Sequence, residues 1–210
     1  MRLATAAADL LLGAQCPGCG APSTSVCRRC WIALDPSPRL VRHHAVPTVA
    51  AGEHTDLLRD VIVAWKEENH ATLLNPLAHL LAASIAALPL DGPLTLVPVP
   101  ASRRSRRARG ADLVADLAAA ASDRLRPVGV EAHVSPALRL TRRTADQSGL
   151  DAEQRARNLR GAYVSRPGAL PNLVVVDDVV TTGATIGEAV RALRAAGHRP
   201  VAAAVVANRP

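Results

Sequence analysis

The chain has no phenylalanine, and only Trp31, Trp65 and Tyr163 are aromatic. Proteins that bind single-stranded nucleic acid stack its bases on aromatic platforms set among basic residues, so this scarcity argues against a stacking-type binder. Lysine is almost missing too: Lys66 is the only one among 25 basic residues, and the rest are arginine. That skew, with its abundant alanine and valine, has the look of a GC-rich genome, so the arginine count by itself points to no partner. No stretch approaches the roughly 20 uninterrupted apolar residues that cross a bilayer. The first residues imitate a secretion signal, Arg2 preceding an apolar run that ends at Ala14. Asp9 interrupts that run, however, and Gln15 before Cys16 spoils a small-residue cleavage site. The expectation is a soluble, cytoplasmic protein with no membrane span.

What is present fits one sizeable α/β core with a small appendage, since 210 residues do not make two full-sized domains. The formal charge of +7 suits an anionic partner. Phosphorylated metabolites, nucleic acid and anionic membrane surfaces all qualify, and charge does not choose among them.

All four cysteines fall within one short stretch, as Cys16-Pro17-Gly18-Cys19 and Cys27-Arg28-Arg29-Cys30. Each Cys-x-x-Cys turn presents two sulfurs to one point, so the two turns together can hold a structural Zn²⁺ tetrahedrally with no position left for water. A redox dithiol pair and two disulfides are the alternatives. The neighbouring Arg28, Arg29 and Arg39 need be no more than a solvated basic face. The Pro-rich join Asp35-Pro36-Ser37-Pro38 suggests a boundary, with an N-terminal helix and zinc knuckle over 1–38 and the main domain over 39–210.

Beyond the join, Leu57, Leu58, Val61, Ile62 and Trp65 share a helical face, and so do Leu74, Leu77, Leu80, Leu81, Ile85 and Leu88. A short buried strand is expected over Leu94 to Val99, a helix over Ala111 to Leu125, and a weak strand around Val130 to Val134. A polar, arginine-rich stretch runs from Arg139 to Arg160. Leu173 to Val176 reads as a strand buried on both faces, Ile186 to Ala196 as a helix stopped by Gly197, and Val201 to Val206 as the next strand. Strand, loop, helix and strand make a βαβ unit, whose ligands bind beyond the carboxyl ends of the strands.

The loop of that unit carries the chemistry. Asp177 and Asp178 are expected side by side at the rim, followed by Thr181, Thr182, Gly183, Ala184 and Thr185 winding into the helix. A helix N-terminus offers unpaired N–H groups and a positive dipole end to a phosphate, threonine hydroxyls add donors, and Gly183 lets the backbone approach closely. The carboxylates can accept hydrogen bonds from a sugar diol and help hold Mg²⁺. The whole block reads as a site for a phosphorylated ribose. The plainer reading, acids capping a turn and threonines capping a helix, would suffice for a lone Asp-Asp.

With that loop, the chain resembles the type I phosphoribosyltransferases, and in particular the ComF family of bacterial competence-related proteins. The likeness runs over nearly the whole chain: the paired Cys-x-x-Cys turns, Ala64-Trp65-Lys66, Val97-Pro98-Val99-Pro100 with Arg109-Gly110, Arg143-Thr144 to Gln147, Leu150 to Arg155, Asn158, Gly161-Ala162-Tyr163, and the loop. It implies a type I phosphoribosyltransferase fold, a parallel sheet flanked by helices with a small hood, here the four-cysteine zinc module. It also implies that Asp177 and Asp178 hold the ribose hydroxyls of phosphoribosyl pyrophosphate (PRPP) and that Thr181 to Thr185 hold the 5′-phosphate. Ser102, Arg103 and Arg104 would face the pyrophosphate, and Thr141 to Arg157 would be a flap over the substrate. One departure stands out: the family has an aromatic residue and Asn-Gln after the Arg-Gly step, where this chain has Ala111-Asp112-Leu113.

The resemblance implies displacement of pyrophosphate from Mg²⁺-bound PRPP by an unidentified acceptor, with Arg103, Arg104 and Mg²⁺ stabilising the leaving group. Two other readings are a non-catalytic PRPP or nucleotide sensor that serves DNA uptake through competence proteins and, ranked last, a zinc-knuckle nucleic-acid binder. Lys66 is a further candidate ligand residue, since a lone ammonium in an arginine-using chain hints at a place where a guanidinium would not fit. A codon accident explains it almost as well. The seven histidines show no metal-ligand spacing.

Overall fold

The computed structural model describes residues 14–41, 45–67, 70–101, 110, 112–141 and 159–209. Five helices, α1 (Arg28–Ala33), α2 (Asp56–Glu67), α3 (Leu74–Ala86), α4 (Leu113–Leu125) and α5 (Ala184–Ala195), accompany eight strands among these residues. The strands are β1 (Arg39–Val41), β2 (Thr48–Glu53), β3 (Leu94–Pro98), β4 (Ala132–Val134), β5 (Leu138–Leu140), β6 (Tyr163–Ser165), β7 (Leu173–Val180) and β8 (Pro200–Asn208). Six of them form one sheet in the order β1-β2-β8-β7-β3-β4, parallel throughout except for β1 at the edge. The other two, β5 and β6, pair antiparallel as a separate ribbon.

Helices cover both faces of this mostly parallel sheet, as expected of an α/β core. The apolar stripe of α2 (Leu58, Val61, Ile62 and Trp65) packs with α3, α4, Val174, Val176, Ala202 and Ala204 in one cluster. On the opposite face α5 contributes Ile186, Ala189, Val190 and Leu193 to a second cluster with Val175, Ala203 and Val205. Alternating side chains of β7 and β8 thus go to opposite faces, as strand pleating requires. A hydrogen bond from the buried Ser84 hydroxyl of α3 to the Val205 carbonyl of β8, 2.8 Å, ties helix to strand.

Several expected elements are where their periodicity puts them. The stripes at Leu57–Trp65 and Leu74–Ile85 become α2 and α3, and the apolar run after Pro93 becomes β3. Three differences have physical reasons. The strand expected to stop at Val176 continues to Val180, because Asp177 and Val179 still pair with Val205 and Ala207 of β8. The helix after it begins two residues earlier than expected, at Ala184, because Gly183 takes a left-handed conformation (φ +75°) and ends the preceding turn. Strands β1, β2, β5 and β6 have no counterpart among the expected elements. Their sequences are short or alanine-rich, and partners distant in the chain create β2, β5 and β6, while β1 pairs with the nearby β2.

The cysteine module packs directly on the core. Val26 and Leu34 join the cluster of α2 and α3, Trp31 lies against His79 with ring centroids 5.5 Å apart, and Ser25 Oγ donates to the Thr72 carbonyl. Gly18 is closely covered there, since a Cβ on it would meet Leu57 Cδ1 at 2.0 Å and that side chain would have to shift.

Candidate functional site

The crossovers of the sheet diverge between β3 and β7: β3 leads through α4 to β4 on one flank, whereas β7 leads through α5 to β8 on the other. The loops leaving the two strands therefore part at their carboxyl ends and open a crevice, the place where open parallel sheets bind ligands. The run Asp177–Thr185 sits at that crevice. Residues 99–101 leave β3 beside it, while Ser102, Arg103 and Arg104, expected at a pyrophosphate, lie outside the described residues. So does most of the expected flap, 142–157.

The two aspartates do not stand at the rim as a matched pair. Both are buried within β7, Asp177 at 9 % and Asp178 at 6 % exposure, and consecutive strand residues address opposite faces. Asp178 faces α2, where Lys66 of the last helical turn brings Nζ to 2.7 Å from Oδ2. Its Oδ1 accepts the Val179 N–H at 2.6 Å, so both oxygens are engaged. Asp177 turns to the α5 side, and its Oδ1 accepts the Asp178 N–H at 2.9 Å. Burial, and next the charge of Asp178, push its carboxyl up to about 8, against the opposing pull of Lys66 and the local N–H. The tyrosine of β6, Tyr163, is buried near it and is pushed up by burial and then by Asp177, Glu188 and Asp112.

After Val180 the loop is partly open to solvent, and Thr182 Oγ1 accepts the Ala184 N–H at 3.4 Å. The first N–H groups of α5 have no acceptor within the helix and are directed to the crevice end of the sheet. Thr181, Thr182, Gly183, Ala184 and Thr185 are thus brought together with Asp177, Asp178 and Lys66 at one edge. A buried Glu188 on α5 holds Arg191 through two 2.7 Å hydrogen bonds, and Arg191 Nη2 donates to the Tyr163 carbonyl, which fastens the β5–β6 ribbon to the helix. Nothing in the sequence marks this network beyond the i, i+3 spacing of Glu188 and Arg191. Asp112 is visible in the sequence only as a departure from the family. It lies at the N-terminus of α4 without capping it, and its Oδ1 is buried with no hydrogen-bond partner.

The second site is the cysteine cluster. The four Sγ atoms of Cys16, Cys19, Cys27 and Cys30 all lie within 4.8 Å of one another, and Cys19 and Cys27 are 3.5 Å apart. Four sulfurs about 2.3 Å from a central Zn²⁺ would sit at nearly these separations, so the donor set fits the ion in number and geometry. All four cysteines are free of disulfides. Burial works to raise the Cys16 thiol, but N–H donors of Cys27, Gly18 and Cys19 outweigh it and bring it down to about 7, toward the thiolate a metal needs. Cys30 is pushed the other way by burial and by the hydrogen bonds and charge of the neighbouring sulfurs.

The chain is 33 % identical to the DNA utilization protein YhgH of Escherichia coli K12 over 185 residues, covering 82 % of this chain and 74 % of that protein. It belongs to the family of these DNA utilization proteins. The counterparts of the same name in Shigella flexneri and Salmonella typhi are 32 % and 30 % identical, with the same shares of each chain covered. No family model matches the chain. The name of these relatives speaks of DNA utilization; no helix among the described residues is long and apolar enough to cross a membrane.

Proposed function

We propose that this protein binds Mg²⁺-PRPP at the crevice between β3 and β7 and transfers its phosphoribosyl group to an acceptor, within a process that uses DNA. The observation that carries this reading is the run from Asp177 to Thr185. It joins two consecutive buried carboxylates, a left-handed glycine and a helix N-terminus at the point where the crossovers diverge. The link to DNA rests on what the YhgH relatives are called.

In this reading α5 takes the 5′-phosphate with its N-terminal N–H groups and the hydroxyls of Thr181, Thr182 and Thr185. The ribose hydroxyls lie at the carboxyl end of β7 on the α5 side, toward Asp177, while Asp178 stays paired with Lys66 on the other face. Burial and the charge of Asp178 raise the Asp177 carboxyl, which favours its protonated, hydrogen-bond-donating form there. Mg²⁺, when bound with PRPP, supplies charge neutralisation for the leaving pyrophosphate. Among the described residues no carboxylate cluster closes a Mg²⁺ site, so the oxygens of the ligand would supply most of the cation's coordination. The C1–O bond to pyrophosphate breaks, the acceptor lone pair forms the new bond at C1, the pyrophosphate leaves with the electron pair, and the acceptor releases its proton. The protein contributes electrostatics and exclusion of water, with Arg103 and Arg104 toward the pyrophosphate, and no residue acts as a nucleophile.

The test is calorimetric titration with Mg²⁺-PRPP of the wild type and of the double variant Asp177→Ala/Asp178→Ala. Binding that is lost in the variant supports the site, and absence of binding to the wild type refutes it. The name of the relatives also favours a second reading, a PRPP-binding accessory of DNA uptake without turnover. Binding with no pyrophosphate release across a panel of nitrogen and oxygen nucleophiles would favour that one.

A further inference from the structure

On the other flank of β7 from the crevice, three basic side chains gather at the carboxyl edge of the sheet. Strands β2 and β8 end in register, Glu53 opposite Asn208, so His54 and Arg209 leave the sheet side by side. Backbone bonds fix both: the His54 N–H donates to the Asn208 carbonyl at 2.7 Å and the Arg209 N–H to the Val180 carbonyl at 2.8 Å. Lys66 reaches the same edge from α2, its ammonium 2.7 Å from Asp178 and its side chain 29 % exposed. Burial, then the charges of Lys66 and Arg209 and, more weakly, of Arg59, hold the His54 imidazole below its ordinary range. Asp178 balances one of these charges. Arg209 is exposed and makes no ion pair among the described residues.

We propose that Lys66, Arg209 and His54 form an anion subsite for the acceptor, which therefore carries a carboxylate or phosphate group. The assignment rests on the PRPP reading given above. If PRPP fills the crevice with its 5′-phosphate at α5 and its pyrophosphate toward β3, the flank toward β8 and β2 is left for the second substrate. The Arg209 guanidinium recognises it by charge, and Lys66 and His54 add hydrogen bonds to its oxygens. The sequence hides this arrangement, because residues 54, 66 and 209 come together only through the pairing of β2 with β8 and the packing of α2.

The single lysine makes the subsite directly observable. In protein grown with ¹³C-lysine, Lys66 gives the only lysine resonance, and inorganic phosphate serves as the probe. Phosphate titrated into protein saturated with Mg²⁺-PRPP is expected to shift that resonance. Arg209→Ala should weaken the apparent affinity about ten-fold, while Arg126→Ala, a change at a remote exposed arginine, leaves it alone. His54→Gln provides a second, fold-neutral variant and should weaken it as well. The proposal is overturned if saturation with PRPP abolishes the phosphate response, since the cations then serve the pyrophosphate. It is equally overturned if Arg209→Ala behaves as Arg126→Ala does. A wild type that binds no PRPP yet shows an Arg209-dependent phosphate shift would refute the PRPP reading and leave the anion subsite standing.

Discussion

Lys66 and Asp178, more than a hundred residues apart in the chain, meet with Nζ 2.7 Å from Oδ2, and the ammonium is the main countercharge to a carboxylate buried in the central sheet. Removing one partner leaves the other charged and poorly solvated, which costs more than the pair itself contributes. Because Lys66 is partly exposed, Lys66→Met should lower stability by about 1–2 kcal/mol, less than for a fully buried pair. Asp178→Asn combined with it should restore most of the loss. A double-mutant cycle in urea measures the coupling, and additive effects would mean that the contact is structurally idle.

The buried Asp177 predicts a pH dependence. Its folded value is raised to about 8 from an ordinary 3.8. Between those values the unfolded chain has lost a proton that the folded chain keeps, so stability is full below about pH 4, falls as pH rises, and levels off above about 8. Asp177→Asn removes the titration. In ligand-free protein its urea midpoint should match the wild type near pH 4 and exceed it by the equivalent of about 1–3 kcal/mol at pH 8. A gap that stays constant with pH would contradict the assigned cause.

Zinc removal should loosen more than the knuckle. Gly18 lies against Leu57 of α2, and Val26 and Leu34 join the main core, so loss of the metal exposes surface on both sides of that contact. Protein as purified is expected to hold about one zinc per chain, and a strong chelator should lower Tm by roughly 5 °C or more. Cys27→Ser should reproduce the effect without chelator. Full stability of a metal-free protein would leave the cluster without a structural role.

Gly183 adopts φ +75° at the start of α5, a conformation that costs an L-residue about 1 kcal/mol. Gly183→Ala is therefore expected to destabilise the chain by about that amount and to weaken ribose 5-phosphate binding several-fold, because the strained residue shifts the N–H groups of the cradle. Weakened stability with unchanged ribose 5-phosphate affinity would separate the fold from the cradle.

Much of this is legible in the linear chain, for a shared reason. Cys16-x-x-Cys19 and Cys27-x-x-Cys30 bring their sulfurs together by local turns, the stripes of α2 and α3 come from a 3.6-residue period, and the Asp177–Thr185 block follows its strand directly. Each of these depends on residues a few positions apart, so spacing alone determines it. Strand β2, with its Thr-Val-Ala-Ala-Gly sequence, has no such signal and exists because β8 lies beside it. The extension of β7 through Asp177 and Asp178 has the same origin, and it turns two expected rim carboxylates into one ion-paired group and one whose carboxyl burial raises. The pairing of Lys66 with Asp178, and the gathering of His54 and Arg209 next to it, were decided by the tertiary structure alone. The order of strands in a sheet fixes which chain ends become neighbours, and that order is a property of long-range packing that no local pattern encodes.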